Sequence, residues 1–276
     1  MIAIDEARSA LTFSESGCIG AQRCTRMRRS AFLLSFLGFS MFAASFAQGC
    51  SSGSTETASA QVLDPTQPHY GNSDDEWCAL WWQWIYQLPQ TENDAGMPNC
   101  IIPFQDPTGA NCGYGQSGDV FFFTGTSGGT VVRDQCFVPA GKAIFFPILT
   151  ATADNAGTPV AMQLSDTDLM AQVQAQIDGV SVASLSAEFD GLPIPNLARF
   201  KTQTTKYSYT LPPEPNDYTC EGAPGITGLV DPSYAACYAV MLPPPTTGAH
   251  VLHFAGSSPK SNPPLTVDVT YHFTVQ

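Results

Sequence analysis

The chain reads as a mainly β protein: a two-layer antiparallel β-sandwich, Ig-like or jelly-roll-like, with two packed α-helices. Three observations predict this. Gly and Pro are abundant, 23 and 22 of 276 residues, so turns are frequent. Hydrophobic residues make up 43% and charged ones only 13%, about half the usual charged share, which suits many short strands around a core better than a helical bundle. The last segment alternates strictly, with Leu265, Val267, Val269, Tyr271, Phe273 and Val275 separated by Thr266, Asp268, Thr270, His272 and Thr274. A period of two with one apolar face is the mark of a half-buried strand.

The amino-terminal part is read first as a targeting signal. Residues 1–26 are a mixed stretch ahead of Met27 and read as a start-site artefact or an extension removed with the signal. Met27-Arg28-Arg29 is a positive n-region, and residues 30–47 (SAFLLSFLGFSMFAASFA) carry no charge. Residues 27–49 therefore predict a secretory signal peptide. Two cleavage readings fit. Ser45-Phe46-Ala47 is a small-x-small site with cleavage before Gln48. Ala47-Gln48-Gly49-Cys50 resembles a bacterial lipobox, with Gln48 departing from the pattern, and would make Cys50 a lipidated membrane anchor.

Cysteine parity favours lipidation. Of nine cysteines, Cys18 and Cys24 precede the signal. Lipidating Cys50 leaves six disulfide candidates, Cys78, Cys100, Cys112, Cys136, Cys220 and Cys237, in an oxidising compartment. Proximity in sequence suggests pairing Cys100 with Cys112 and Cys220 with Cys237, which leaves Cys78 to reach Cys136.

Residues 50–61 read as a flexible Ser/Thr/Ala/Gly tether and residues 62–276 as a single disulfide-stapled domain. Residues 73–88 predict a helix. Ser73 and Glu76 form a capping box, and Trp77, Trp81, Trp84 and Leu88 share one face while Cys78, Trp82, Ile85 and Tyr86 cover the next. A helix apolar around so much of its circumference is normally buried. Residues 91–118 are loop-rich. Strands are expected at 120–124, 130–138 and 142–149, the last with Ala143 to Phe146 apolar on both faces, as in a central strand. Residues 165–178 predict a second helix with the stripe Leu169, Val173 and Ile177, ended by Gly179. Further strands are expected at 180–189, 199–211 and 234–242, with 212–232 irregular. The final strand is expected to pair with 250–255.

Charge narrows the partners. Five of the eleven Lys/Arg and three of the 24 Asp/Glu precede Cys50, leaving 6 basic against 21 acidic residues from there on, a net of −15. Such a chain repels phosphate backbones, so nucleic acid is not an expected partner.

Sequence motifs offer little chemistry. Residues 125–129 match G-x-S-x-G, but Val131 and Val132 open a strand where a nucleophile elbow needs a helix, so a hairpin loop is expected around Ser127. Residues 113–118 match G-x-G-x-x-G without the strand before and the helix after that a dinucleotide site requires. Among His69, His250, His253 and His272, alternation puts His253 beside Asp268 as a solvated pair, not a metal site. Asp106, Asp119, Asp134, Glu188 and Asp190 could supply a glycosidase-type carboxylate pair, though no spacing selects two of them. Ca²⁺ in the acidic loops is a further expectation, for stability alone.

Four segments together carry a resemblance: W-x-x-x-W-W-x-W over 77–84, GQSGDVFFFTG over 115–125, R-x-x-C-x-V-P-A-G-K-A-I-F-F-P over 133–147, and DVTYHFTV over 268–275. They resemble a group of uncharacterised secreted bacterial proteins with no assigned activity, which implies export and a single domain. The resulting expectation is an exported, lipid-anchored protein of the bacterial surface or periplasm. It would act as a non-enzymatic binding or structural module with a protein or glycan partner. The alternative is an extracytoplasmic, carboxylate-dependent glycan or cell-wall hydrolase.

Overall fold

A computed structural model describes residues 58–93 and 96–276, which belong to one compact unit. The signal segment 27–49 and the lipidation candidate Cys50 lie outside the described residues. In chain order the elements are α1 (Asp74–Gln87), the short strands β1 (Thr91–Glu92) and β2 (Pro98–Asn99), β3 (Val120–Phe122), β4 (Gly129–Val138), β5 (Ala143–Asp154) and α2 (Asp166–Ile177). They continue with β6 (Ser186–Phe189), β7 (Leu192–Pro193), β8 (Lys201–Gln203), β9 (Tyr207–Leu211), the four-residue helix α3 (Asp217–Cys220), β10 (Gly228–Leu242), β11 (Gly248–Ser258) and β12 (Leu265–Val275).

Two five-stranded sheets pack face to face. The first runs β3-β5-β10-β8 with β9 also paired to β10, and the second runs β4-β12-β11-β6-β7. Phe121, Phe146 and Val240 of the first sheet meet Leu252, Phe254 and Val269 of the second in the central core. The opposite face of the first sheet is covered by α1, whose indoles pack on Phe122, Phe145 and Met241. Strands β5 and β10 outrun the second sheet. There α2 continues its layer, setting Leu169, Val173 and Ile177 against Ala151, Ala153 and Ala236. The doubly apolar run in β5 follows from this: Ala143 and Phe145 face α1, while Ile144 and Phe146 face the core.

The expected helices form within a residue of their predicted ends. Glu76 Oε2 accepts the Ser73 N–H at 2.8 Å, and Ser165 Oγ accepts the Asp168 N–H at 3.2 Å. The expected β11–β12 hairpin also forms, with His253 opposite Thr270 and Asp268 and His272 on the diagonals to either side.

Several expectations are corrected. All six candidate cysteines are bridged, but as Cys78–Cys237, Cys100–Cys220 and Cys112–Cys136. Packing of α1 on β10, rather than closeness in sequence, decides the first of these pairs. Two strand pairs are parallel, β3 with β5 and β4 with β12, in an otherwise antiparallel sandwich. The loop holding Ser127 is accordingly no hairpin, because it carries the chain from the first sheet to the second. The stretch 212–232 contains α3 and the start of β10. The starts of two expected strands, 180–185 and 199–200, instead hold 3₁₀ turns at 182–184 and 197–200. The tether ends earlier than Gln61: Ala60 is buried and donates its N–H to the Pro193 carbonyl at 3.0 Å.

One buried cation locks the loop before β3 to both sheets. Arg133 on β4 is 1% exposed, and no carboxylate is among its hydrogen-bond partners. Its Nε donates to the Asp106 carbonyl at 2.7 Å, Nη1 to the Thr124 carbonyl at 2.8 Å and to the Tyr271 hydroxyl, and Nη2 to the Phe104 carbonyl at 3.2 Å. Carbonyl dipoles thus take the place of a counter-ion. Burial alone would raise the Asp106 carboxyl, but N–H groups of Asn111, Thr108 and Gly109 outweigh it and hold that carboxyl below its usual range.

Candidate functional site

Four tryptophans on one helix would be a ready surface for sugar stacking if exposed. They are buried, from 3% exposed at Trp81 to 8% at the other three. Every indole N–H is also spent. Trp77 donates to the His69 carbonyl, Trp81 to the Phe123 carbonyl, Trp82 to Thr150 Oγ1, and Trp84 to the Tyr114 carbonyl, at 2.9 to 3.1 Å. Buried indoles need such partners, and these bonds fix α1 on the sheet.

A groove of about 510 Å³ remains between α1 and the loop that leads into β3. Trp77, Trp84, Leu88 and Phe122 form its buried floor. The two indoles flank the Phe122 ring, with centroids 6.1 and 5.5 Å away and planes inclined at 66° and 39°. Gln83, Gln87, Ser117 and Asp119 form the rim, and Asp119 is the only charged or titratable side chain in the lining. Each rim amide commits one N–H: Gln83 Nε2 donates to the Ser208 carbonyl at 2.7 Å, and Gln87 Nε2 to the Gln83 carbonyl at 3.1 Å. Lys142 donates to the Gly118 carbonyl from beyond the groove and does not line it. Nearby, burial first and then the Asp119 charge push the Tyr70 phenol up.

The loop wall depends on Gly115. Its φ is +65°, and an added Cβ would lie 2.2 Å from Leu88 Cδ2 and 3.4 Å from Trp84 Nε1. Only a glycine allows the loop to approach α1 this closely. The G-x-G-x-x-G match is therefore a groove wall and not a phosphate loop. Gln116 steadies the same loop through the Cys112 and Phe122 carbonyls and the Phe122 N–H. Both walls are stapled to the sandwich, α1 through Cys78–Cys237 and the loop through Cys112–Cys136.

The other sequence candidates are dispersed. Asp106 accepts three backbone N–H groups. Asp190, at φ +51°, accepts from Val251 N and pairs with His250 Nδ1 at 2.8 Å. Asp134 and Glu188 are exposed on the second sheet, and of the five acids Asp119 alone lines the groove. His253 pairs with Asp268 at 3.0 Å, as the alternation predicts, and His272 faces outward opposite Val251. Among the described residues, no group of three or more His, Cys, Asp or Glu side chains is placed to hold a metal ion.

Sequence reading missed the groove because neither wall announces it. The acid that stands out instead is Asp217 in α3, which is 1% exposed with Oδ2 unpartnered. Burial first, and Glu221 second, raise its carboxyl to about 7. It is too enclosed to meet a substrate.

The fold and the groove define a disulfide-stapled β-sandwich with a preformed, aromatic-floored cleft. Three bridges are characteristic of an oxidising, extracytoplasmic environment, and no helix among the described residues is long and apolar enough to cross a membrane. Comparison finds no matching family model, curated protein or solved structure.

Proposed function

We propose that this protein is an exported, lipid-anchored binding module of the bacterial surface, holding its protein or glycan partner without chemistry in the groove beneath α1. One observation carries the reading: both walls of the groove are disulfide-stapled to a rigid sandwich. A site fixed before the ligand arrives binds without an ordering cost. A lining with one carboxylate and no second titratable group supports binding over hydrolysis, which needs an acid and a base or nucleophile. The anchor rests on Cys50 and on the even cysteine count that its lipidation leaves.

Two measurements test it. Full-length protein expressed in a bacterium should partition with membranes, and Cys50→Ser should release it to the soluble fraction. Purified mature protein should be retained saturably by isolated cell-wall sacculi with no release of reducing sugar. Unchanged partition of the variant would remove the anchor, and release of reducing ends would replace the binding module with a hydrolase.

A further inference from the structure

The groove's lining is electrostatically one-sided, and that selects a ligand class. The inference rests on the groove being the binding site. Its floor offers three aromatic rings, Trp77, Trp84 and Phe122, with the indole planes inclined at 66° and 39° to the Phe122 ring. The indole N–H groups, the usual donors of an aromatic site, are engaged by the His69 and Tyr114 carbonyls. The Gln83 and Gln87 amides each commit one of their two N–H groups inside the protein, which leaves one N–H and the carbonyl oxygen of each. Asp119 supplies the only formal charge, and no Lys, Arg or His lines the space.

A site of aromatic rings, two amides, one hydroxyl and one carboxylate, with no basic side chain, repels anions. It suits a cation. Aromatic rings attract ammonium groups through their quadrupoles, most strongly where water is displaced, and a net charge of −15 beyond residue 49 raises the local cation concentration. We infer that the groove beneath α1 binds an organic ammonium ion, with the charged head against Trp77, Trp84 and Phe122 and beside Asp119.

The test uses a pair of probes of equal shape, choline and its uncharged isostere 3,3-dimethylbutan-1-ol. The mature protein is titrated with each, following tryptophan fluorescence and calorimetry. All four tryptophans lie on α1 and two line the groove, so occupancy changes the emission. Choline should bind saturably, at least about tenfold more tightly than the isostere, since tenfold is the effect of a modest cation–π and charge contribution. Asp119→Asn, a change at an exposed position, should weaken choline at least fivefold and leave the circular dichroism unchanged. Raising NaCl to 1 M should weaken choline and leave the isostere alone. Equal binding of the two probes, or indifference to Asp119→Asn, overturns the inference. If cellobiose binds and choline does not, the inference falls while the groove stands as the site. If none of the three binds and sacculi are not retained, both fall.

Discussion

Cys78 in α1 is bonded to Cys237 in β10, across 159 residues of chain. The longer the loop a bridge closes, the more it restricts the unfolded chain. The chain-entropy relation gives about 5 kcal/mol for a loop of this size and about 3.5 kcal/mol for one of about 25 residues, the size closed by Cys112–Cys136. Cys78→Ala/Cys237→Ala should therefore lower the unfolding free energy more than Cys112→Ala/Cys136→Ala. Guanidinium unfolding of the two double variants gives the order directly, and the reverse order would show that native packing outweighs loop closure.

Arg133 predicts a second large effect. Replacing it with Met keeps much of the volume but strips donors from the Phe104, Asp106 and Thr124 carbonyls and the Tyr271 hydroxyl. Buried acceptors left unmatched should cost on the order of 3 kcal/mol. Arg133→Lys should not rescue, since one ammonium cannot reach carbonyls that the guanidinium fork spans. A Lys variant as stable as wild type in thermal melts would contradict this account of the site.

Asp217 predicts a pH dependence. Burial first and then Glu221 push its folded carboxyl up to about 7, from the 3.8 usual for an aspartate. The folded state therefore holds a proton that the unfolded chain has released between these values. Stability contributed by the neutral carboxyl is complete below about pH 4 and declines as pH rises, at a rate approaching about 1.4 kcal/mol per pH unit, until about pH 7. Asp217→Asn mimics the neutral form and should flatten this part of the profile. Urea unfolding from pH 4 to 8 makes the comparison, and parallel profiles for the two proteins would refute it.

Gly115→Ala should damage the groove wall. The added methyl group meets Leu88 at 2.2 Å and the backbone stands at φ +65°, so a loss of about 1 to 2 kcal/mol is expected from strain and displacement together. Gly113→Ala is the matched control, with nothing within 4 Å of its Cβ. Equal melting temperatures for the two variants would mean that the loop yields freely.

Much of the secondary structure is legible from local pattern. The capping residues Ser73 and Ser165 mark both long helices, the alternation from Leu265 to Val275 gives the buried face of β12, and the all-apolar run at Ala143 to Phe146 already implies cover on both sides of β5. The 3₁₀ turn at Leu197–Phe200 escapes because Phe200, apolar and just ahead of the β8 strand residues, reads as the start of that strand. Arg133 gave a weaker signal. It shares the inward parity of Val131, an odd place for a cation, but nothing local says that three loop carbonyls await it.

Sequence alone determined which segments are buried and how they are shaped, since hydrophobic period, caps and turn residues act over a few positions and need no partner. It also determined the acidity of the chain and the even set of six cysteines beyond Cys50. Only tertiary structure decided which cysteines meet, which strands run parallel, and that α1 and the loop around Gly115 enclose a groove. These depend on contacts between residues tens to more than a hundred positions apart. Such contacts are selected by the packing of whole layers, and a local pattern fits many of them equally well.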